Sequence, residues 1–501
     1  MRRASAPLGW ILILLAGWAL SGGAAEPPKP PEEKGKPARP AAAKPGPAKP
    51  AKDKEDIYEL QRLLVDTLDQ IERNYVRPVD RRKLVEAAIK GILSELEDPY
   101  STYIGPEEME RFRTTIESKF GGIGLQVVVD RGQLKVSSPL PGTPAYRAGI
   151  IAGDRIVEID GKSTENLSID EAVRRLKGDV GTQVILTVIH PGKTARETIR
   201  MTRESIHVET VLGDHRNPDD TWNFMLDPDK RIAYVRITAF SRDTADELRK
   251  ALGDLQKEKL RGLILDLRFN PGGLLGSAVE VADLFVSQGR IVSTAGRNAR
   301  EKKWEAHREG TFEGFPMAVL VNRFSASASE IVAACLQDHK RAAIVGERTW
   351  GKGSVQNVIE LEYSPDQTAR SALKLTTAGY RRPNGKNIDK PPDAKETDEW
   401  GVRPDKGLEV KVDDEELFAL MADRRARDIL VPKPQPPKPE AKKPEATSPQ
   451  PKIEKPEPAR SGPTSEGSEA KPKPPSAPAA KPPHFVDRQL QLALGYLTGR
   501  K

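Results

Sequence analysis

Two short stretches in the third quarter of this 501-residue chain hold the residues best suited to covalent chemistry. One is Ser325-Ala326-Ser327-Ala328-Ser329-Glu330, which runs into the apolar Ile331-Val332-Ala333-Ala334. The other is Gly351-Lys352-Gly353-Ser354-Val355-Gln356. Small hydroxyl residues at the mouth of an apolar helix are well placed to hold a nucleophile, and a lysine between glycines can lie close against neighbouring backbone. Acyl transfer needs a nucleophile, a base and donors aimed at a developing oxyanion. The pair implies a serine hydrolase chemistry with a lysine amine as general base.

The commoner bases fit less well. The six histidines, His190, His207, His215, His307, His339 and His484, are scattered, and none carries the local signature of a histidine triad. Neither a Gly-x-Ser-x-Gly elbow nor a His-Glu-x-x-His zinc motif occurs, and no metal or cofactor is expected. A lysine near pKa 10.4 must be depressed by roughly 2–3 units to accept a proton at neutral pH, at a cost of about 3–4 kcal/mol. That demands burial, and a nearby carboxylate would work against it. Gln356 can orient the amine without adding charge. The run from Gly346 to Lys352 matches the first seven positions of a phosphate-binding loop, but Gly353 stands where the magnesium-binding Ser or Thr is required.

The elements that must position these residues read as alternating strands and helices from about Ile206 onward. Strands are expected at Ile232 to Ile237, Gly262 to Leu267, Met317 to Val321 and Ala343 to Val345. Helices are expected at Ala245 to Leu255, Leu275 to Leu284 and Ser329 to Gln337, with a turn at Asn270-Pro271-Gly272-Gly273. This order implies an α/β layered core. Upstream, apolar residues at helical spacing from Asp56 to about Ser118 predict helices, broken at Asp98-Pro99-Tyr100-Ser101 and restarted at Pro106.

Between these regions lies a β-rich segment with short strands at Gln126 to Val129, Leu134 to Val136, Arg155 to Ile159 and Val184 to Ile189. A helix is expected at Ser168 to Leu176. Its ordered signatures are Gly-Gly-Ile-Gly-Leu, Pro-Ala-x-x-Ala-Gly-Ile, Gly-Asp-x-Ile-x-x-Ile-Asp-Gly and the helix before Gly-Asp-Val-Gly-Thr. In this order they resemble a PDZ domain of the bacterial protease-associated type. The loop through Gly122, Ile123, Gly124 and Leu125 can turn backbone N–H groups toward a peptide's terminal carboxylate, while the following strand receives the peptide as an added strand.

The ends have a different composition. Between Glu26 and Pro50, and between Pro432 and Pro483, lie 26 of the 43 prolines, set among Lys, Ala and Glu. Such stretches read as disordered linkers. Most of the formal net charge of +7 sits in them and in the leader, which weakens any case for nucleic-acid binding. The basic tails leave association with an anionic envelope surface open. Residues 1–25 have the form of a secretory signal, with Arg2 and Arg3 before a 13-residue apolar run from Leu8 to Leu20, too short for a membrane span. Secretion or a periplasmic location is expected, with membrane association if the signal stays uncleaved. Cys335 is the only cysteine, so an intramolecular disulfide is excluded, and its apolar neighbourhood predicts a packing thiol.

The serine and lysine motifs, joined to the PDZ signatures, resemble the carboxy-terminal processing peptidases, also called tail-specific proteases. The resemblance runs from about residue 56 to 411. It implies an α/β (multi-domain) fold: N-terminal helices, a PDZ domain, and a protease core similar to the enoyl-hydratase and Clp-like superfold. In that family the lysine follows the nucleophile by 25 residues, which selects Ser327 among the three cluster serines. The family's lysine-orienting glutamine falls on Gln356. Its Asn-Pro-Gly-Gly turn implies an oxyanion hole from Gly272 or Gly273 with Ala328, and its PDZ domain implies flexible or unfolded protein C-termini as substrates. Lys177 stands where the family often has arginine. A terminal Asp-x-x-Leu-x-x-Ala-x-x-x-Leu helix fits Asp487 to Leu497, separated from the core by the second proline-rich stretch. The implied division is signal 1–25, linker 26–55, helical region 56–117, PDZ domain 118–204, protease core 205–430, linker 431–483 and C-terminal helix 484–501. The N-terminal helices are the expected site of self-association. The rival reading is a non-catalytic PDZ-containing binding or scaffold protein on the same fold.

Overall fold

A computed structural model describes residues 56–365, 369–430 and 485–499. The expected signal and both proline-rich linkers lie outside the described residues.

The core is built on a parallel sheet. Strands Ile232–Ile237, Gly262–Asp266, Met317–Val321 and Ala343–Gly346 pair in that order, all parallel, and Val211–Leu212 adds an antiparallel edge. Each is mostly apolar, as a strand buried on both faces is, with Arg236 and Asp266 as the charged exceptions. The alternation of side chains then divides them between two clusters. Ala233, Val235, Ile237, Leu263, Leu265, Val319 and Val321 face helices Thr244–Lys257, Leu275–Asp283 and Ala328–Asp338. Ile232, Tyr234, Ile264, Ala318, Leu320 and Val345 face the other way, where Leu490, Ala493, Leu494 and Leu497 of the terminal helix Arg488–Leu497 cover them. The last helix thus docks back onto the core and closes a layer that the preceding chain leaves open.

Its docking is anchored by charge. Asp487 caps the helix by accepting the Leu490 N–H at 3.0 Å, and it also pairs with the fully buried Arg268 at 2.8 Å. Arg268 pairs with Asp266, which also meets Arg424 of helix Asp414–Asp428 and the Tyr234 hydroxyl. Burial alone would raise the Asp266 carboxyl, but the Arg268 and Arg424 guanidinium groups hold it far below the usual range.

A second, antiparallel sheet borders the core. Its long strand Ala369–Arg381 pairs with Ser354–Tyr363 on one side and with Thr102–Ile104 and Arg290–Gly296 on the other. The N-terminal region therefore differs from the expected run of helices. Helices Ile57–Asn74, Arg81–Ser94 and Pro106–Glu117 form as read, but Thr102–Ile104 is a strand in register with Lys374, Leu373 and Ala372.

The β-rich domain has strand order Leu125–Asp130, Gln133–Pro139, Arg155–Ile159, Gln183–Ile189, Glu197–Thr202, closed over Ile123, Leu134, Ile156, Ala172 and Leu186. A further strand follows Gln183–Ile189: Ile199 and Met201 alternate inward on Glu197–Thr202, which pairs with it along its length. A separate pair, Lys119–Gly122 with Glu204–His207, joins this domain to the core.

Candidate active site

Ser327 sits at the entrance to helix Ala328–Asp338, in a backbone conformation that an L-residue rarely adopts, φ 56° and ψ −114°. Such a conformation costs about 1–3 kcal/mol and persists only where surrounding contacts hold it. Here the holding group is Glu330. It is fully buried; its Oε2 accepts the amides of Ser327 and Lys352, each at 2.8 Å, and its Oε1 accepts the Gly351 amide at 2.7 Å and the Thr349 hydroxyl at 2.5 Å. Burial pushes the Glu330 carboxyl above its ordinary value, against the pull of these donors. One carboxylate thereby fastens the helix entrance to the Gly351–Lys352 turn.

The three cluster serines have different surroundings. The Ser325 hydroxyl donates to Leu267 O at 2.8 Å and accepts the Asn322 amide at 3.0 Å. The Ser329 hydroxyl donates to Asn270 O at 2.9 Å. Both side chains are fully buried and tie loops together. The Ser327 hydroxyl instead meets the Tyr380 phenol, and burial pushes that phenol up to about 12.

The Asn270–Gly273 turn lies against Ser327. A Cβ on Gly272, whose φ is +104°, would stand 2.8 Å from Ser327 Cβ and 3.0 Å from the Ala328 nitrogen. Only glycine permits that approach. The Gly272 amide donates to Asn270 Oδ1 at 2.9 Å, so it is already engaged. Among the described residues the amides of Gly273 and Ala328 have no acceptor, and Gly273 is exposed.

Lys352 is buried at 9% exposure. Burial pushes its amine below the ordinary lysine value, against the opposing charges of Asp98 and Glu330. The expectation that carboxylates keep away from this amine is therefore not met; desolvation outweighs them. Lys374 stands nearby, pushed down to about 8 by burial and by the Lys352 charge. The Lys352 amine lies 4.4 Å from the centre of the Tyr100 ring. Gln356 donates through its amide nitrogen to Ser354 Oγ at 2.8 Å and Thr376 Oγ1 at 3.1 Å. The amides of the phosphate-loop look-alike are taken up by the fold: Gly346 by Leu408 O, Thr349 by Val402 O, Trp350 by Ser325 O, Gly351 by Glu330.

Ser327, Lys352, Gly272, Gly273 and Ala328 are thus brought together from three loops, with Gln356 on the adjoining strand. Gly122, Ile123, Gly124 and Leu125 belong to the β-rich domain. There Ile123, Gly124 and Leu125 line a groove with Phe120, Val173 and Leu176, and Lys177 lies 4.4 Å over the Phe120 ring. Gly122 is instead paired in the ladder opposite Glu204. Glu330, Tyr100, Asp98 and Tyr380 go beyond the residues singled out from sequence. Glu330 stands inside the serine motif, where it reads only as an acid in a first helical turn; the turn at Asp98 reads only as a helix break. Cys335 is fully buried, its thiol pushed up to about 12 by burial.

The family described as Peptidase family S41 matches residues 231–406, a PDZ domain matches 135–189, and the activating protease CtpB N-terminal domain matches 38–108. A carboxy-terminal-processing protease of Bartonella bacilliformis is 38% identical over 340 residues, covering 67% of this chain and 74% of the relative. The carboxy-terminal processing protease CtpA of Bacillus subtilis is 37% identical over 323 residues, covering 64% and 65%. A carboxyl-terminal-processing protease of Synechocystis is 34% identical over 343 residues, covering 68% and 74%. With the S41 match over the parallel-sheet core and the PDZ match over the β-rich domain, the chain belongs to the carboxy-terminal processing serine proteases of peptidase family S41.

Proposed function

We propose that the chain is a serine endopeptidase working through a Ser327–Lys352 dyad. Ser327 Oγ attacks the peptide carbonyl as its proton passes to Lys352 Nζ; the resulting ammonium protonates the leaving nitrogen as the C–N bond breaks, and water releases the acyl group by the reverse sequence. The amides of Gly273 and Ala328 receive the oxyanion, while Gln356 orients the lysine. The observation that carries this reading is the shared Glu330 oxygen, which sets the strained Ser327 and the buried Lys352 side by side. Burial of the amine supplies the neutral fraction a base needs.

The groove of Ile123, Leu125, Val173 and Leu176 suits an apolar C-terminal side chain of a flexible or unfolded protein, with Lys177 at its rim. The leader in residues 1–25 directs the chain to the periplasm or outside the cell, and the basic proline-rich segments associate with anionic envelope surfaces. None of the described helices is long and apolar enough to cross a membrane. Helix Ile57–Asn74, which buries no residue against the described chain and exposes Leu60, Leu63 and Leu64, is the surface for self-association. Leu63→Glu with Leu64→Glu should lower the sedimenting mass; an unchanged mass removes this helix from the interface.

The test of the dyad is degradation of an unstructured protein by the chain lacking residues 1–25. Cleavage lost in both Ser327→Ala and Lys352→Ala, with folding retained, supports the dyad. Equal cleavage by all three discards it.

A further inference from the structure

The turn between helix Arg81–Ser94 and strand Thr102–Ile104 reaches the Lys352 amine from outside the catalytic core. Asp98 organises this turn: Oδ1 accepts the Tyr100 amide at 3.0 Å and Oδ2 accepts the Ser101 hydroxyl at 2.5 Å. Ser101 Oγ accepts the Thr376 amide at 3.0 Å, and Asp98 also bonds the Thr376 side chain. Thr376 Oγ1 in turn accepts from Gln356 at 3.1 Å. The Tyr100 hydroxyl accepts from Trp350 Nε1 at 3.3 Å while its ring faces Lys352 Nζ at 4.4 Å. Strand Thr102–Ile104 then fixes the turn against Lys374 and its neighbours.

We propose that this turn is a wall of the active site, with Tyr100 and Asp98 as positioning residues for Lys352. The Tyr100 ring covers the amine and fixes its approach, and the Asp98 carboxylate sets how readily the amine keeps its proton. The inference rests on Lys352 being the base. The groups facing that amine are Asp98 and Tyr100 from the turn, Glu330 from the helix entrance and Lys374 from the long strand. Burial would raise the Asp98 carboxyl, but the Ser101 and Thr376 hydroxyls hold it below its usual range. Asp98 therefore stays ionised while Lys352 titrates, and favours the charged, non-basic amine. Burial and Asp98 pull in opposite directions, so removing the carboxylate has a definite sign.

The experiment compares pH profiles of kcat/KM on an unstructured protein for the full chain, Asp98→Asn, Tyr100→Phe, Tyr100→Ala and Ser327→Ala. Asp98→Asn should shift the acid limb to lower pH, with several-fold more activity on that limb. Tyr100→Ala should lower kcat roughly ten- to a hundredfold at little change in KM, through a misplaced amine. Tyr100→Phe, which keeps the ring, should restore most of the rate. Trace acetylation of Lys352 across pH reads the same shift in Asp98→Asn without relying on turnover, and urea unfolding identifies any variant that fails to fold. An acid limb and an acetylation profile that superpose on the parent overturn the role of Asp98. A Tyr100→Phe as slow as Tyr100→Ala overturns that of the ring. If Ser327→Ala cleaves like the parent, the dyad itself falls; if it is inactive while the Asp98→Asn profiles do not move, only this inference does.

Discussion

The main-chain amides of Ser327 and Lys352 donate to the same oxygen, Glu330 Oε2, each at 2.8 Å. Two residues far apart in sequence are thus referenced to one buried atom, which makes Glu330 a positioning group for both. Glu330→Gln nearly preserves volume but replaces an acceptor with a donor, leaving two buried N–H groups facing an amide. Each orphaned group costs about 1–3 kcal/mol. The expected result is a loss of about 2–5 kcal/mol in urea unfolding and at least a hundredfold in kcat. A variant as stable and active as the parent would show that the bracket is dispensable.

The cluster serines give a sharper discrimination, because their hydroxyls serve different ends. Ser325→Ala and Ser329→Ala each remove a buried hydrogen bond and should cost about 1–2 kcal/mol of stability, with measurable cleavage retained. Ser327→Ala should remove cleavage while costing no more stability than the other two, since its hydroxyl gives up only the Tyr380 contact and the strained backbone is held by Glu330. Full activity in Ser327→Ala together with loss in Ser329→Ala would reassign the nucleophile.

Much of this arrangement is legible in sequence, for identifiable reasons. The strands Ile232–Ile237, Gly262–Asp266 and Met317–Val321 are mostly apolar runs between turn residues, and the Asn-Pro-Gly-Gly turn and the Gly-Lys-Gly loop announce close backbone approach. Only the family's spacing singles out Ser327 in sequence, because strain at φ 56° leaves no trace in composition. Thr102–Ile104 is three residues long and becomes a strand only because Ala369–Arg381, far along the chain, offers it an edge. Ser354–Tyr363, which pairs with the other edge of Ala369–Arg381, is hard to read because Val358, Ile359 and Leu361 are exposed beside Glu360 and Glu362, so no inward alternation marks it. The convergence of four donors on Glu330 exists only after two distant loops pack.

Acid sensitivity should be concentrated at the charge cluster under the terminal helix. Burial opposes ionisation of Asp487, but Arg268 outweighs it and holds that carboxyl below the ordinary value, as Arg268 and Arg424 do for Asp266. A depressed carboxyl contributes stability that is present above its unfolded value, near 3.9, and is lost as pH falls toward the folded value. Urea midpoints measured from pH 7 down to pH 3 should therefore fall for the parent below about pH 4. Asp487→Asn should start lower and lose less over the acid interval. Parallel curves for the two proteins would remove Asp487 from the acid response.

The terminal helix packs on the face of the parallel sheet that carries Ile264, Ala318 and Leu320, so it should behave as part of the core despite its separation in sequence. Ala493 is fully buried between Leu490 and Leu497, over Ile264, Ala318 and Leu320. Ala493→Asp places an unpaired carboxylate there, at a cost of several kcal/mol, and the helix is expected to leave the sheet. Hydrogen exchange in residues 485–499 should rise to that of an open segment, with a lower Tm. The same change at exposed Gln491 should stay within about 0.5 kcal/mol of the parent. Since the sheet positions the Asn270–Gly273 turn and the entrance to Ser327, cleavage should fall with the Ala493→Asp helix and not with the Gln491→Asp control. Normal exchange protection and cleavage in Ala493→Asp would mean that the helix is an appendage and that the sheet face is stable uncovered.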